Sequence, residues 1–388
     1  MSKEKLWTIE FIMMSCSNFF QFISQYILVA ALPIFIMDEL SGGELEAGLA
    51  MTFFQIGTVC CRPFAGRWID TVNKQKLLLV TTGLFFLVMA GFSFANSLHA
   101  VLLLRLLHGI LFALGTTAAS TMAALILPNS CKGEGIGYFA VSTNLAMVVG
   151  PLIGLLIIHQ WGASALFIFL TIVALFTIGV SNCKKLESAI TEPALREKKG
   201  WNLQDFVEKK SLPMAFLGGL VFFAYGGILT FIPLYAKTLG LSTATSLFFM
   251  VFALVIVITR PFIGRIFDYK GADFTVYPGF LFFIAGLVLF SSVTTLTGLL
   301  FSAAVLGIGF GALSPAFQTL AIQSAPAERA GVATATYFWS LDISVGLAAI
   351  LLSMVAERNG YAFMYGVVCA NVILAAVICY SIWRKFRR

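Results

Sequence analysis

Charge is what this 388-residue chain has least of: 11% of its residues are Asp, Glu, Lys or Arg, against 59% hydrophobic. A water-soluble domain of that length needs far more charge to cover its surface, so the bilayer is the solvent that suits it. The alternating pattern of a membrane β-barrel is missing, which leaves helices as the way to satisfy backbone hydrogen bonds in lipid. Paired cysteine spacings are missing too. Cys16, Cys60, Cys61, Cys131, Cys183, Cys369 and Cys379 fall mostly within apolar runs and read as small hydrophobes. Cys60 and Cys61 point to different helix faces. No nucleotide-binding loop, metal cluster or nucleophile–base constellation occurs; Gly307-Ile-Gly-Phe-Gly311 has no strand before it and is helix packing. No enzyme activity, cofactor or metal is therefore expected. The net charge of +7 comes without an aromatic-interleaved basic patch, which excludes a nucleic-acid partner. Asn18, Gln21 and Gln25 interrupt the first apolar run and no small-residue cleavage site follows, so an uncleaved first helix is expected.

What is present is a series of apolar runs of the roughly 20 residues that cross a bilayer. Twelve are counted, at about 8–36, 46–69, 77–96, 99–127, 134–158 and 163–182, then 213–237, 243–267, 274–294, 296–324, 331–356 and 361–383. They predict an N-terminal six-helix bundle (1–182), a basic cytoplasmic linker (183–212) and a C-terminal six-helix bundle (213–388). Trp201, Leu203, Phe206 and Val207 suit a linker segment lying along the membrane surface, beside the alternative of a solvated connector. With both termini cytoplasmic, all of the 25 Lys and Arg except Arg105, Lys237 and Arg358 fall on inner loops, termini or inner helix ends. The first outer loop is acidic: Asp38, Glu39, Glu44, Glu46.

The halves repeat. Arg62-Pro-Phe-Ala-Gly-Arg-Trp-Ile-Asp70 matches Arg260-Pro-Phe-Ile-Gly-Arg-Ile-Phe-Asp268 at a shift of 198, which also relates Gly109 to Gly307, Phe112 to Phe310 and Pro128 to Pro326. Pro33 and Pro233 match at a shift of 200. A parallel repeat of six helices is a transporter architecture.

Three motifs give the chain its resemblance to the major facilitator superfamily, and within it to the twelve-helix drug:proton antiporters. The first is Gly66-x-x-x-Asp70-x-x-Asn73-Lys74-x-Lys76, echoed by Gly264-x-x-x-Asp268-x-x-Gly271. Gly66 permits close helix approach, and Asn73 and Gly271 suit a left-handed turn. The resemblance implies that Asp70 meets the positive start of the eleventh helix near Gly331, a contact that exists only when the cytoplasmic side is closed. Thr71 and Asn73 depart from the usual basic residue and glycine. The second motif is Arg105-Leu-Leu-His108-Gly109, an intramembrane cation with a histidine one turn on, where the family usually has glutamine. The third is Gly137-x8-Ala146-x3-Gly150-Pro151-x-x-Gly154, which resembles the antiporter signature and so implies export.

Asp342, deep in the eleventh helix, is the first candidate for proton coupling, with Arg105, His108 and Glu10 behind it. Asn18, Gln21 and Gln25 form one stripe on helix 1. With Gln55, Asn144, Tyr225, Gln318, Phe338 and Trp339 they are candidates for a cavity that takes an amphipathic solute, although some of these amides suit interhelical bonding. Gly66, Asp70, Lys74, Gly150, Pro151, Gly154, Gly264 and Asp268 are candidates for conformational gating. The expectation is a monomeric, multi-pass plasma-membrane exporter that exchanges protons for a small molecule. A proton-coupled uptake symporter, a lipid flippase and a non-transporting receptor of the same fold are the alternatives.

Overall fold

A computed structural model describes residues 6–181, 205–241 and 244–387. The described residues are helical nearly throughout. In chain order the helices are α1 (Ile9–Asp38), α2 (Glu44–Thr71), α3 (Lys74–Gly91), α4 (Leu98–Ile126), α5 (132–161), α6 (163–181), α7 (Leu212–Thr238), α8 (Thr245–Lys270), α9 (Asp273–Ser291), α10 (Leu296–Gln323), α11 (330–359) and α12 (361–387). Glycine makes two of the breaks. Gly162 (φ 77°) separates α5 from α6, and Gly360 (φ 81°) separates α11 from α12. They stand 198 residues apart, so the repeat extends to a backbone conformation that favours glycine. Helix starts repeat as well: Ser97 Oγ accepts from Ala100 N–H at α4, and Thr295 Oγ1 accepts from Gly298 N–H at α10.

Nine uninterrupted helical runs among the described residues are long and apolar enough to cross a membrane, and two of these hold two helices each. The remaining helix, α2, is less apolar because it carries Gln55 and Arg62 along with Glu44, Glu46, Arg67 and Asp70. Val80, Leu87, Leu281 and Phe301 stand exposed on helix flanks, a surface that suits lipid rather than water.

Contacts divide the chain into two units. The first holds residues up to 128 with 142–209 and 325–336; the second holds 129–141, 210–324 and 337 onward. In the first unit α4 packs on α1, α2 and α3; in the second α10 packs on α7, α8 and α9. Sequence boundaries at 182 and 213 do not carry the two short segments, 129–141 and 325–336, that each unit takes from the other half of the sequence. Most of the expected linker, residues 183–204 with Trp201 and Leu203, lies outside the described residues.

Candidate functional site

Two carboxylates end the two helices that carry the repeated motif, and each is clasped by a helix start. In the first unit Asp70 Oδ1 accepts from Gly331 N–H and Oδ2 from Val332 N–H, both at 2.8 Å. In the second, Asp268 Oδ1 accepts from Gly133 N–H and Oδ2 from Glu134 N–H, again at 2.8 Å. Each carboxylate thus satisfies two of the donors that a helix start leaves without an intrahelical partner. Gly66 allows the approach in the first clasp: a Cβ there would lie 2.6 Å from Ala335 Cβ and 2.9 Å from Val332 Cα. Gly264 does the same in the second, where a Cβ would lie 2.6 Å from Glu134 Cα. Gly264 and Asp268 are sequence candidates for gating but their partner helix start is not, yet the 198-residue shift that relates Asp70 to Asp268 also relates Gly331 to Gly133.

The turns that follow the clasps differ from expectation at one position. Gly271 is left-handed (φ 90°), but Asn73 has an ordinary negative φ (−61°). Asn73 is used as a helix cap instead: its Oδ1 accepts from Lys76 N–H at 2.9 Å, a role glycine cannot fill. Lys74, the first residue of α3, is buried.

Each clasp has a different flank. Beside the second, Arg265 Nε donates to Glu134 Oε1 at 3.0 Å. Beside the first lies the end of the linker. Phe206 meets Phe64 edge-on (5.2 Å) and lies beneath the Arg67 guanidinium (5.2 Å). Glu208 pairs with Arg329, and its N–H donates to Thr336 Oγ1 at 3.0 Å. Residues 206–208 therefore pack as part of the first unit.

Two arginines that the sequence places at inner helix ends are in fact buried. Arg62 and Arg260 are 3% and 2% exposed. Their identical place before a helix proline in both halves is the signal that marked them, and positive-inside counting absorbed it.

Across residues 14–349 the sequence matches the family model described as Major Facilitator Superfamily. The chain belongs to the Major Facilitator Superfamily. An uncharacterized MFS-type transporter of Methanocaldococcus jannaschii is 23% identical over 91% of this chain and 92% of its own. The uncharacterized MFS-type transporter YhhS of Escherichia coli is 25% identical over 96% and 91%. Among solved structures, the human organic anion transporter MFSD10 (TETRAN) superposes with a TM-score of 0.78 at 12% identity, over 96% of this chain and 98% of that one. The protein is thus a multi-pass membrane transporter with the Major Facilitator fold, a family of transporters and not enzymes.

Within this Major Facilitator chain the second motif forms a buried cluster of the first unit. Arg105 is fully buried. Its Nε donates to Ala50 O (3.2 Å), Nη1 to Gln25 Oε1 (3.1 Å) and His108 Nδ1 (3.2 Å), and the Phe54 ring lies 4.7 Å away. A guanidinium only donates, so His108 Nδ1 accepts and the imidazole is neutral with its proton on Nε2. In this conformation His108 is a hydrogen-bond acceptor that positions Arg105.

The helix 1 stripe is largely committed to its neighbours. Asn18 Nδ2 donates to Ser142 Oγ (2.8 Å) and Thr143 Oγ1 (2.9 Å) of α5, while Gln21 packs on Gly115 of α4. These amides join α1 to its neighbours, the alternative that the sequence had left open. Gly150 and Gly154 on α5, around Pro151, face α1 as well; a Cβ at Gly150 would lie 2.7 Å from Tyr26 Cβ, and one at Gly154 3.1 Å from Ile27 O. Glu10 sits in the first turn of α1, where a negative charge suits the helix start. Gln55 is half-buried on α2 and Asn144 is buried on α5.

In the second unit Tyr225 stacks on Phe310 (4.3 Å) and is buried, as is Gln318. Phe338, Trp339 and Asp342 follow one another on α11, all half-buried. Among the described residues no group of three His, Cys, Asp or Glu is placed to hold a metal.

Proposed function

We propose that this transporter exports a small amphipathic molecule across the cytoplasmic membrane of a bacterium in exchange for protons, by alternating access. The observation that carries the reading is the pair of matched clasps. Each joins an acid to a helix start from the other half of the sequence, and each forms or breaks as a unit of two charge-assisted hydrogen bonds. Clasps of this kind suit a two-state protein better than a static receptor, because they give one state a discrete advantage. Both lie at the helix ends that carry the basic loops, and in this reading each holds one of the two alternating states.

Export is supported by the third motif. Gly150 and Gly154 bring α5 onto the α1 backbone, the role in which the antiporter-like signature needs small residues. Asp342 is the proton carrier in this reading: a half-buried acid well inside α11, beside Phe338 and Trp339, which offer apolar contact to a solute. The test is reconstitution in proteoliposomes with an imposed pH gradient and a panel of organic cations, anions and neutral amphiphiles. Outward flux that collapses when the gradient is dissipated supports antiport, and inward co-transport overturns it.

A further inference from the structure

Arg62 and Arg260 occupy the same place in the repeat, but their surroundings differ. Arg62 Nη1 donates to Ala113 O (3.2 Å), Thr116 Oγ1 (2.9 Å) and Thr117 Oγ1 (2.9 Å). Advanced by 198 residues, the two threonines become Ser314 and Pro315. Proline brings no hydroxyl, and the Ser314 carbonyl accepts from Tyr337 Oη at 2.8 Å. Arg260 keeps a single bond, from Nη1 to Gly137 O at 3.5 Å, which is at the long limit for a hydrogen bond. Its Nε–H has no partner, although the side chain is buried.

A cavity opens beside this guanidinium, lined by Gly137, Arg260, Thr275, Pro315 and Thr319 among others. Its volume of about 10 Å³ leaves room for a single small particle. Thr319 gives its hydroxyl to Pro315 O at 2.8 Å. Thr275 is buried too, and its Oγ1 has no partner. The cavity therefore brings together a cationic N–H and a hydroxyl, both donors without acceptors. The carboxylates on the adjoining segments are engaged elsewhere, Asp268 with two backbone N–H groups and Glu134 with Arg265. A buried cation without an acid partner is costly, and what relieves it is an acceptor carrying negative charge.

We propose that this cavity binds one halide-sized inorganic anion, held by Arg260 Nε–H and Thr275 Oγ–H. The anion neutralises Arg260 and ties α8 to α9, next to the start of α5 that Asp268 clasps. The first unit needs none, because Thr116 and Thr117 serve Arg62 directly.

The test is thermal unfolding of the purified full-length transporter in detergent, at constant ionic strength, with sodium chloride or bromide replacing sodium gluconate. Chloride and bromide are expected to raise the midpoint saturably by about 2–4 °C. Thr275→Val keeps the shape and removes one donor, so half-saturation should need about tenfold more chloride. Arg260→Gln should abolish the response; if that variant does not fold, Thr275→Val decides alone. Equal midpoints in chloride and gluconate, or a Thr275→Val response identical to that of the natural chain, would mean that the cavity holds water only and would overturn the proposal.

Discussion

Replacing Asp70 by Asn probes the first clasp with almost no change of shape. Asn keeps one oxygen for Gly331 N–H or Val332 N–H, but it sets an amino group against the other, so one charge-assisted bond of 2.8 Å becomes a donor facing a donor. Loss of one such bond and of the negative charge at a helix start should cost about 2–3 kcal/mol. If the clasp opens by releasing the start of α11, the opening equilibrium shifts by roughly 30- to 140-fold. Hydrogen exchange reads this directly: the amides of Gly331 and Val332 should exchange faster by about that factor, within a peptide spanning 325–336. Asp268→Asn provides the comparison, since it should release Gly133 and Glu134 in the peptide 129–141. Unchanged exchange at Gly331 and Val332 in Asp70→Asn would refute the view that the carboxylate holds this helix start.

Gly66→Ala should weaken the same clasp by about 1–3 kcal/mol, because the new methyl meets Val332 Cα at 2.9 Å and backbone cannot rotate away; Gly83→Ala, with nothing within 4 Å, should exchange like the natural chain in the same experiment. Glu208→Gln removes the ion pair with Arg329, and it should speed exchange across 325–336 while leaving 129–141 unaltered. Asp342→Asn should abolish transport driven by a pH gradient while leaving substrate binding within a few-fold, measured by flux in proteoliposomes and by equilibrium binding; gradient-driven flux at the natural rate would remove Asp342 from the proton path.

The helices were legible because a bilayer imposes a length and a composition that a linear count detects. The breaks between α5 and α6 and between α11 and α12 were placed near Gly162 and Gly360 for the same reason. Asp70 was assigned to the start of α11 through a family motif, whereas the identical contact of Asp268 needed only the repeat shift applied once more. A sliding charge count treats Arg62 as an interface cation; whether its guanidinium turns inward depends on Thr116 and Thr117, far away in sequence. Likewise Asn18 and Gln21 present the same polar stripe whether they meet a solute or a neighbouring helix. Their partners here, Ser142, Thr143 and Gly115, are far away in sequence.

The clasp at Asp70 also bears on how the chain is made. Its partner Gly331 is 261 residues further along. A ribosome that has released all of α1 to α6 into the membrane has therefore not yet supplied the piece that completes the first unit. The half-buried Asp70 carboxylate meets its two donors only once most of the second set has been made. Asp268 faces no such delay, because Gly133 and Glu134 are already in place when α8 arrives. In the order of synthesis, then, both partners of the second clasp exist before those of the first.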